Sequence, residues 1–404
     1  MSRTVVNYPK GAHIVMEGSE NPGFIYILKS GEILIESKIQ FIHKKLNRYY
    51  PGDCFGFVSG IMKKKHQYNL VALNECEVIR LTIDSFVEFM VNNKDTFLHF
   101  LSSNSERLRI FLNNIDQSRE YGYEEILPEE LIHDARLYKR LGRKDLSCYA
   151  LARYLEKNFE QPKNPVKMEE AKDMLNAMDK NYKFPVVEQF ADESGLIYHQ
   201  GSIIFVENEP PDYFYLIKSG RVGIHKLVDE KLICLEVIGK GEIFGEMGIL
   251  NSKGRVASAI AFEDCVLQSY DRRDIFEIRD AEILDKIFRM IAKRMWLASN
   301  RFYLRQIADI DIQMYLLLQI LVEERLLKPK KDDTAEVDIP LSIYDLGKMI
   351  GKDETDIKKM NELNLDRNIK IQPNKITVLD KNKFLEKAEI LQKKHARQMK
   401  EVII

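Results

Sequence analysis

The sequence predicts an α+β protein: two β-rolls of the jelly-roll type joined by a helical linker, then a long helix and a winged helix-turn-helix. Three observations carry that expectation. A pattern of short strands and turn glycines occurs twice at a fixed offset. An apolar stripe of helical period follows the second copy. Beyond it, two short helical segments around a glycine precede a pair of strand-like runs.

The duplication is legible residue by residue. FIYILKSG at 24–31 matches YFYLIKSG at 213–220, so Tyr26 aligns with Tyr215 and Gly31 with Gly220, an offset of 189 residues. The same offset carries PGDCFG at 51–56 onto KGEIFG at 240–245, and Ala72 onto Ala261. Upstream, KGAHIVME at 10–17 pairs with QGSIIFVE at 200–207, one residue out of step, which points to a turn of different length between these blocks. Each copy reads as short strands around a Lys-Ser-Gly turn, where glycine supplies the positive φ of a tight connection. The resulting division is a first roll at 1–110, a helical linker at 111–183, a second roll at 184–280, a long helix at 281–308, a winged helix at 309–385 and a basic helical tail at 386–404.

Bulk composition narrows the function classes. A chain of 404 residues exceeds one core and predicts two to four domains. Hydrophobic residues are 45% and charged residues 30%, with a formal net charge of -1, so any attraction to nucleic acid must be local. The N-terminal stretch lacks the apolar core of a signal peptide, and no run approaches a membrane span. Cys54, Cys76, Cys148, Cys234 and Cys265 are scattered without a CxxC pair, which reads as reduced thiols in the cytoplasm and no metal site. Nothing pairs a nucleophile with a base, so an enzyme is not expected.

The densest motif is FGEMGIL at 244–250 followed by GRVA at 254–257. Gly245 and Gly248 are expected to flank a short helical turn around Glu246 and Met247 whose backbone N–H groups can face an anion. Arg255 adds a charge-assisted partner for phosphate oxygens. Glu246 only accepts hydrogen bonds and suits a ribose hydroxyl. The bland alternative is an exposed ion pair between Glu246 and Arg255. Together with the flanking strands, this stretch resembles a cyclic nucleotide-binding domain, a family that includes bacterial catabolite activators and the regulatory subunits of protein kinase A. The resemblance is strong over 185–385, where it extends to the Crp/Fnr regulators, and weak over 8–110.

That resemblance implies a nucleotide bound by Gly245, Glu246, Met247, Gly248, Arg255, Val256 and Ala257, with no resident cofactor. Val256 stands where relatives preferring cyclic GMP often place a hydroxyl, so cyclic AMP is favoured over cyclic GMP or a cyclic dinucleotide. In the activators a hydroxyl on the long helix caps the base. Here Ala298 takes that place, Ser299 follows it, and Asn300 or Arg301 are possible substitutes. In the first copy Phe57 replaces Glu246 and His66 replaces Arg255, while the loop gains Lys63, Lys64 and Lys65. A vestigial scaffold and a site for a different anion both fit that pattern.

The long helix stands on periodicity. Ile283, Ile287, Ile291, Ala298 and Phe302 form a stripe wider than one roll needs, so a homodimer seam is expected, the alternative being packing within the chain, on the first roll. Downstream, Leu346, Met349 and Ile350 face one way, Gly351 turns the chain, and Ile357, Met360 and Leu363 form the next face. A two-strand wing turning at Pro373–Asn374 completes a likeness to the Crp/Fnr winged helix. DNA contact is expected from Lys352, Thr355, Lys358, Lys359 and Arg367, opposed by Asp353, Glu354 and Asp356 at the helix start. Asp353 and Asp356 also fit a capping pair. The basic tail suits either DNA or an ordinary amphipathic helix. In the linker, residues 134–165 resemble one tetratricopeptide hairpin, with Ala135, Tyr138, Leu141, Gly142, Ala150 and Tyr154 suited to tight pairing, expected to bridge the rolls.

Overall fold

The structure is a computed structural model that describes residues 3–36, 47–114, 129–158, 164–185, 187–189, 195–228, 230–251, 254–271, 273, 281–305, 307–326, 336–350, 352, 354–359 and 366–402. Two compact units emerge: Met1–Glu230 with Val237–Trp296, and Lys231–Glu236 with Leu297–Ile404.

The first unit holds the first roll and all of the second except Lys231–Glu236. In the first roll, β1 (Arg3–Tyr8), β8 (Cys76–Thr82), β3 (Phe24–Ser30) and β6 (Cys54–Phe55) form one sheet in that order. The other sheet runs β2 (His13–Val15), β7 (Asn69–Ala72), β4 (Ile33–Glu36), β5 (Arg48–Tyr49). In the second roll, β10 (Leu196–Tyr198), β17 (Cys265–Asp271), β12 (Tyr213–Ser219) and β15 (Ile243–Phe244) repeat the first order, with β9 (Glu188–Gln189) added at the edge. The second sheet repeats too: β11 (Ile203–Phe205), β16 (Ser258–Ala261), β13 (Arg221–Val228), β14 (Lys231–Gly239). Register is copied with topology. Tyr26 faces Phe55 as Tyr215 faces Phe244, and both copies slip register after Leu28 and Ile217. The same pair stacks in both cores, with ring centroids 5.2 Å apart for Tyr26–Phe55 and 5.3 Å for Tyr215–Phe244. The one-residue slip seen in the sequence falls between β2 and β3, where the first copy's loop is one residue longer than the second's. At the Lys-Ser-Gly turn, a Cβ on Gly220 would lie 2.2 Å from the Asp264 carbonyl oxygen, so only glycine fits.

Helices connect the rolls. After α1 (Phe57–Met62) and α2 (Ile83–Asn92), α3 (Lys94–Asn114) leaves the first roll. A hairpin of α4 (Glu130–Arg140) and α5 (Lys144–Asn158) follows, with Ala135, Tyr138, Ala150 and Tyr154 buried at its seam. Its turn uses Gly142 at φ +73°. Asn164 then caps α6 (Pro165–Asp179), accepting from the Lys167 N–H.

The second roll carries α7 (Glu246–Asn251), and α8 (Ala281–Arg305) follows it. Ile287 and Ile291, expected at a dimer seam, are buried within this single chain, so periodicity correctly marked a buried face and did not identify its partner. Phe288 on the same helix packs against Phe86, Phe97 and Phe100 of the first roll and its helices, with centroids 5.0, 6.1 and 5.1 Å apart. Phe302's side chain lies outside the described residues.

The second unit contains α9 (Ile310–Leu326), α10 (Ile343–Met349), α11 (Glu354–Lys358) and α12 (Lys381–Val402). Its three strands, β18 (Val337–Ile339), β20 (Lys375–Val378) and β19 (Ile369–Gln372), lie in that order. β19 and β20 join through the two-residue turn at Pro373–Asn374. Ser342 and Asp345 form a capping box that starts α10. Tyr315 stacks on Phe384 at 5.0 Å, tying α12 to α9. Gly351, Asp353, Met360 and Leu363 lie outside the described residues, as do the side chains of the tail beyond Gln392.

Candidate functional site

The site grows from the end of β15. Gly245 adopts φ +83°, and a Cβ there would stand 2.8 Å from Arg255 Nη1. That glycine lets the chain enter α7 directly, so Glu246 is its first residue. Gly248 lies inside this helix, correcting the expectation that it flanks the turn.

Glu246 is buried, and its Oε1 pairs with Arg294 Nη1 on α8. The second oxygen, Oε2, is buried and has no hydrogen-bond partner among the described residues. Arg294 Nη2 also donates to the Ile243 carbonyl at 2.5 Å, which anchors it beside the cassette. Arg294 was not legible as a site residue, because nothing in its local sequence separates it from an ordinary surface cation.

Arg255 is 3% exposed, which excludes the exposed ion pair held open above. It donates from Nη1 to the Gly245 carbonyl and from Nη2 to the Tyr213 carbonyl, both at 2.6 Å. Its guanidinium lies 4.1 Å from the Phe205 ring centroid. Arg255 Nε is buried without a partner among the described residues. Burial draws the guanidinium's pKa down, and the carboxylate of Glu209 pulls against that. Val256 and Ala257, next along the chain, are both buried.

A polar frame holds this stretch. Lys226 and Glu207, each 1% exposed, pair at 2.6 Å, and Lys226 Nζ donates to the Val256 carbonyl at 2.9 Å. Arg109 on α3 donates to the Gly254 carbonyl at 2.8 Å, and Ser105 on the same helix to the Met247 carbonyl at 3.3 Å. Burial lowers the Arg109 pKa to about 10, with Glu207 acting in the opposite sense. The linker hairpin closes the frame. Asn208 donates to Asp134 at 2.8 Å, the Tyr138 and Ser258 hydroxyls lie 2.9 Å apart, and Arg153 pairs with the buried Glu209 at 3.0 Å. The hairpin therefore packs on the second roll's rim, and α3 reaches that rim from the first roll.

Gly245, Glu246, Met247, Gly248, Arg255, Val256 and Ala257 thus come together around α7. Ser299 belongs to the second unit. Two unpartnered buried atoms, an acceptor on Glu246 and a donor on Arg255, suit a ligand bearing both a hydroxyl and an anionic oxygen. In the first roll, Phe57 is buried edge-on against Phe100 at 5.2 Å and His66 shares a 3.0 Å hydrogen bond with Ser59, so neither reproduces that pair. Of the residues expected at DNA, Thr355, Lys358, Lys359 and Arg367 are exposed and Lys352 is half-buried.

Both rolls are similar to known proteins. The family model for the cyclic nucleotide-binding domain matches residues 5–93 and 196–282, and the chain contains two such domains. The cyclic AMP receptor protein of Thermus thermophilus is 33% identical over 104 residues, covering 24% of this chain and 47% of that protein. The cAMP-dependent protein kinase regulatory subunit of Eremothecium gossypii is 28% identical over 119 residues, covering 30% of this chain and 24% of that protein. Half or less of each relative's length is therefore spanned. A solved CRP/FNR-family transcriptional regulator from Thermus thermophilus aligns with TM-score 0.37 and 22% identity over 48% of this chain and 97% of that one. Among the described residues, no helix is long and apolar enough to cross a membrane.

Proposed function

We propose that this chain is a cyclic-nucleotide-responsive transcription regulator that takes cyclic AMP in its second roll. The observation that carries this reading is the buried pair: Glu246 and Arg255 each keep an unpartnered polar atom in the second roll, and the first roll has Phe57 and His66 instead. Glu246 accepts from the ribose hydroxyl. Arg255 exchanges a backbone carbonyl for phosphate oxygens, a stronger charge-assisted partner. Gly245, Met247 and Gly248 contribute backbone to the phosphate side, and Val256 and Ala257 line the wall. Because Arg294 already binds Glu246, ligand at the ribose position acts directly on α8.

The named relatives include a cyclic AMP receptor and cAMP-activated transcriptional regulators, which supports cyclic AMP over cyclic GMP or a cyclic dinucleotide; the scattered, unpaired cysteines fit a cytoplasmic setting. DNA is met through Lys352, Thr355, Lys358, Lys359 and Arg367. A homodimer must use surface other than Ile287 and Ile291, which are buried inside the chain. Glu354, exposed at the start of α11, with Asp356 two residues on, favours the second reading, a nucleotide-sensing interaction module without specific DNA binding.

Titrating wild type and Arg255→Ala with cyclic AMP tests the ligand. Losing the buried charged partner should cost about 2–5 kcal/mol in binding; equal affinities contradict the assignment. Fluorescence anisotropy with the protein's own promoter region, at several salt concentrations with and without cyclic AMP, tests the output. Lys358→Ala with Lys359→Ala should lower the salt slope by about two units. No DNA binding at low salt with nucleotide present would leave the interaction module as the function.

A further inference from the structure

Helix α3 carries two opposed faces. At about 100° per residue, Phe100, Ser103 and Arg107 lie together on one side, and Ser105 and Arg109 lie roughly opposite them. The first face is clamped in the first roll. Phe100 packs edge-on against Phe57 at 5.2 Å and Phe86 at 5.6 Å. The Ser103 hydroxyl donates to Asp53 at 2.7 Å, and the Arg107 guanidinium lies 4.2 Å from the Tyr49 ring centroid. Phe57 stands where the second copy has Glu246, so a position that cannot take a ribose hydroxyl holds this helix instead.

The second face grips both arms of the second roll's cassette. Ser105 donates to the Met247 carbonyl inside α7 at 3.3 Å, and one turn on Arg109 donates from Nη2 to the Gly254 carbonyl at 2.8 Å. That carbonyl belongs to the peptide whose N–H is Arg255's own. The N–H donates to the Glu209 carbonyl at 2.9 Å, and the Arg255 carbonyl accepts from the Asn208 N–H at 2.9 Å. The backbone that carries Arg255 is thus held at both edges, and Arg109 reaches it from outside the roll. Arg109 is 5% exposed, and its Nε is buried with no hydrogen-bond partner among the described residues. Burying a guanidinium so incompletely hydrogen-bonded costs stability, so packing alone does not account for an arginine here. Burial lowers its pKa only to about 10, so it remains a cation at neutral pH.

We propose that the first roll completes the second roll's ligand site: Arg109 is a positioning residue that presets the Gly254–Arg255 peptide, and with it the Arg255 guanidinium, for the ligand's phosphate. The first roll anchors the helix that delivers Arg109. A loose loop has to be ordered by the ligand at a cost in affinity, and a loop pinned before binding avoids that cost. Arg109 acts through Arg255 and needs no contact with the ligand.

The test is a double-mutant cycle in the full chain, titrated with cyclic AMP by calorimetry. Arg109→Met keeps an apolar stem and removes the donor. It should weaken cyclic AMP at least about tenfold in the wild-type background, and less than about twofold beside Arg255→Lys, where the guanidinium it positions is already gone. Arg109→Lys keeps the charge beside Glu207 and ends one bond short of Nη2. It should show the same non-additivity, and it carries the test if Arg109→Met does not fold. Equal losses in both backgrounds would mean that Arg109 only stabilises the fold and would overturn the proposal, as would no loss in either. The affinity cycle rests on the second roll being the cyclic AMP site; hydrogen exchange without nucleotide does not. Peptides spanning Arg255 should exchange at least about tenfold faster in Arg109→Met, with β12 unchanged. If the wild type binds no cyclic AMP, the ligand assignment fails and exchange alone decides Arg109's role, with unchanged protection around Arg255 refuting it.

Discussion

Replacing Lys226 with methionine removes one charge from the second roll's interior and little volume. Lys226 and Glu207 are each 1% exposed, with 2.6 Å between Nζ and Oε1. The other Glu207 oxygen accepts from the Leu227 N–H at 3.0 Å. In Lys226→Met the carboxylate stays buried without its cation, and the Val256 carbonyl loses its 2.9 Å donor. Breaking one side of a buried pair costs about 3–5 kcal/mol. Arg109 also acts on Glu207, which places the loss at the lower end, about 3 kcal/mol. Adding Glu207→Gln removes the stranded charge, and the double variant should recover about 1–3 kcal/mol relative to the sum of the single changes. Urea unfolding followed by Trp296 fluorescence and by circular dichroism measures both. Because Val256 follows Arg255 directly, cyclic AMP affinity should fall with stability. A loss below about 1 kcal/mol, the range of an exposed pair, would refute the claim that this pair frames the cassette.

Two further predictions concern pH. Burial lowers the His66 pKa below its ordinary 6.5, so the unfolded chain takes up a proton that the folded chain resists. Stability from this group is complete above that value and declines as pH falls through it toward the lowered folded value. The difference in urea midpoint between about pH 7.5 and about pH 5.5 should shrink in His66→Gln, and an unchanged difference contradicts the burial argument. In the second unit, burial tends to raise the Asp366 pKa, but hydrogen bonds from Lys387, at 2.8 Å, and Tyr315 outweigh it and hold the carboxyl below 3.8. Its stabilisation is present above that value and lost as pH falls through the lowered one. Asp366→Asn should therefore cost the second unit about 1–3 kcal/mol at neutral pH, read from its thermal transition; no loss would contradict the linkage.

The rolls were legible because a duplication carries its own control. Tyr26 and Tyr215 align in sequence, and the same residues stack on Phe55 and Phe244 in space. Even the one-residue slip marked the loop between β2 and β3. The cassette was legible because a glycine that must take positive φ, a carboxylate and an arginine stand at fixed spacing. Long-range partners were not. Arg294 meets Glu246 across 48 positions, and Asp134 and Tyr138 read as parts of a helical hairpin until Asn208 and Ser258 are folded against them. The α8 stripe shows the remaining gap. Ile287 and Ile291 repeat at helical spacing, which fixes a buried face and says nothing of what buries it. Phe288 beside them lies on Phe86, Phe97 and Phe100, a cluster that no local pattern connects.

The central claim is that one of the two cyclic nucleotide-binding domains keeps a cyclic nucleotide site, and stoichiometry tests it most directly. Isothermal titration of the wild-type chain with cyclic AMP counts sites without a label or a mutation. Binding at one equivalent per chain is expected, because Glu246 and Arg255 have no counterparts at Phe57 and His66. Two equivalents of similar affinity, or none, would contradict it.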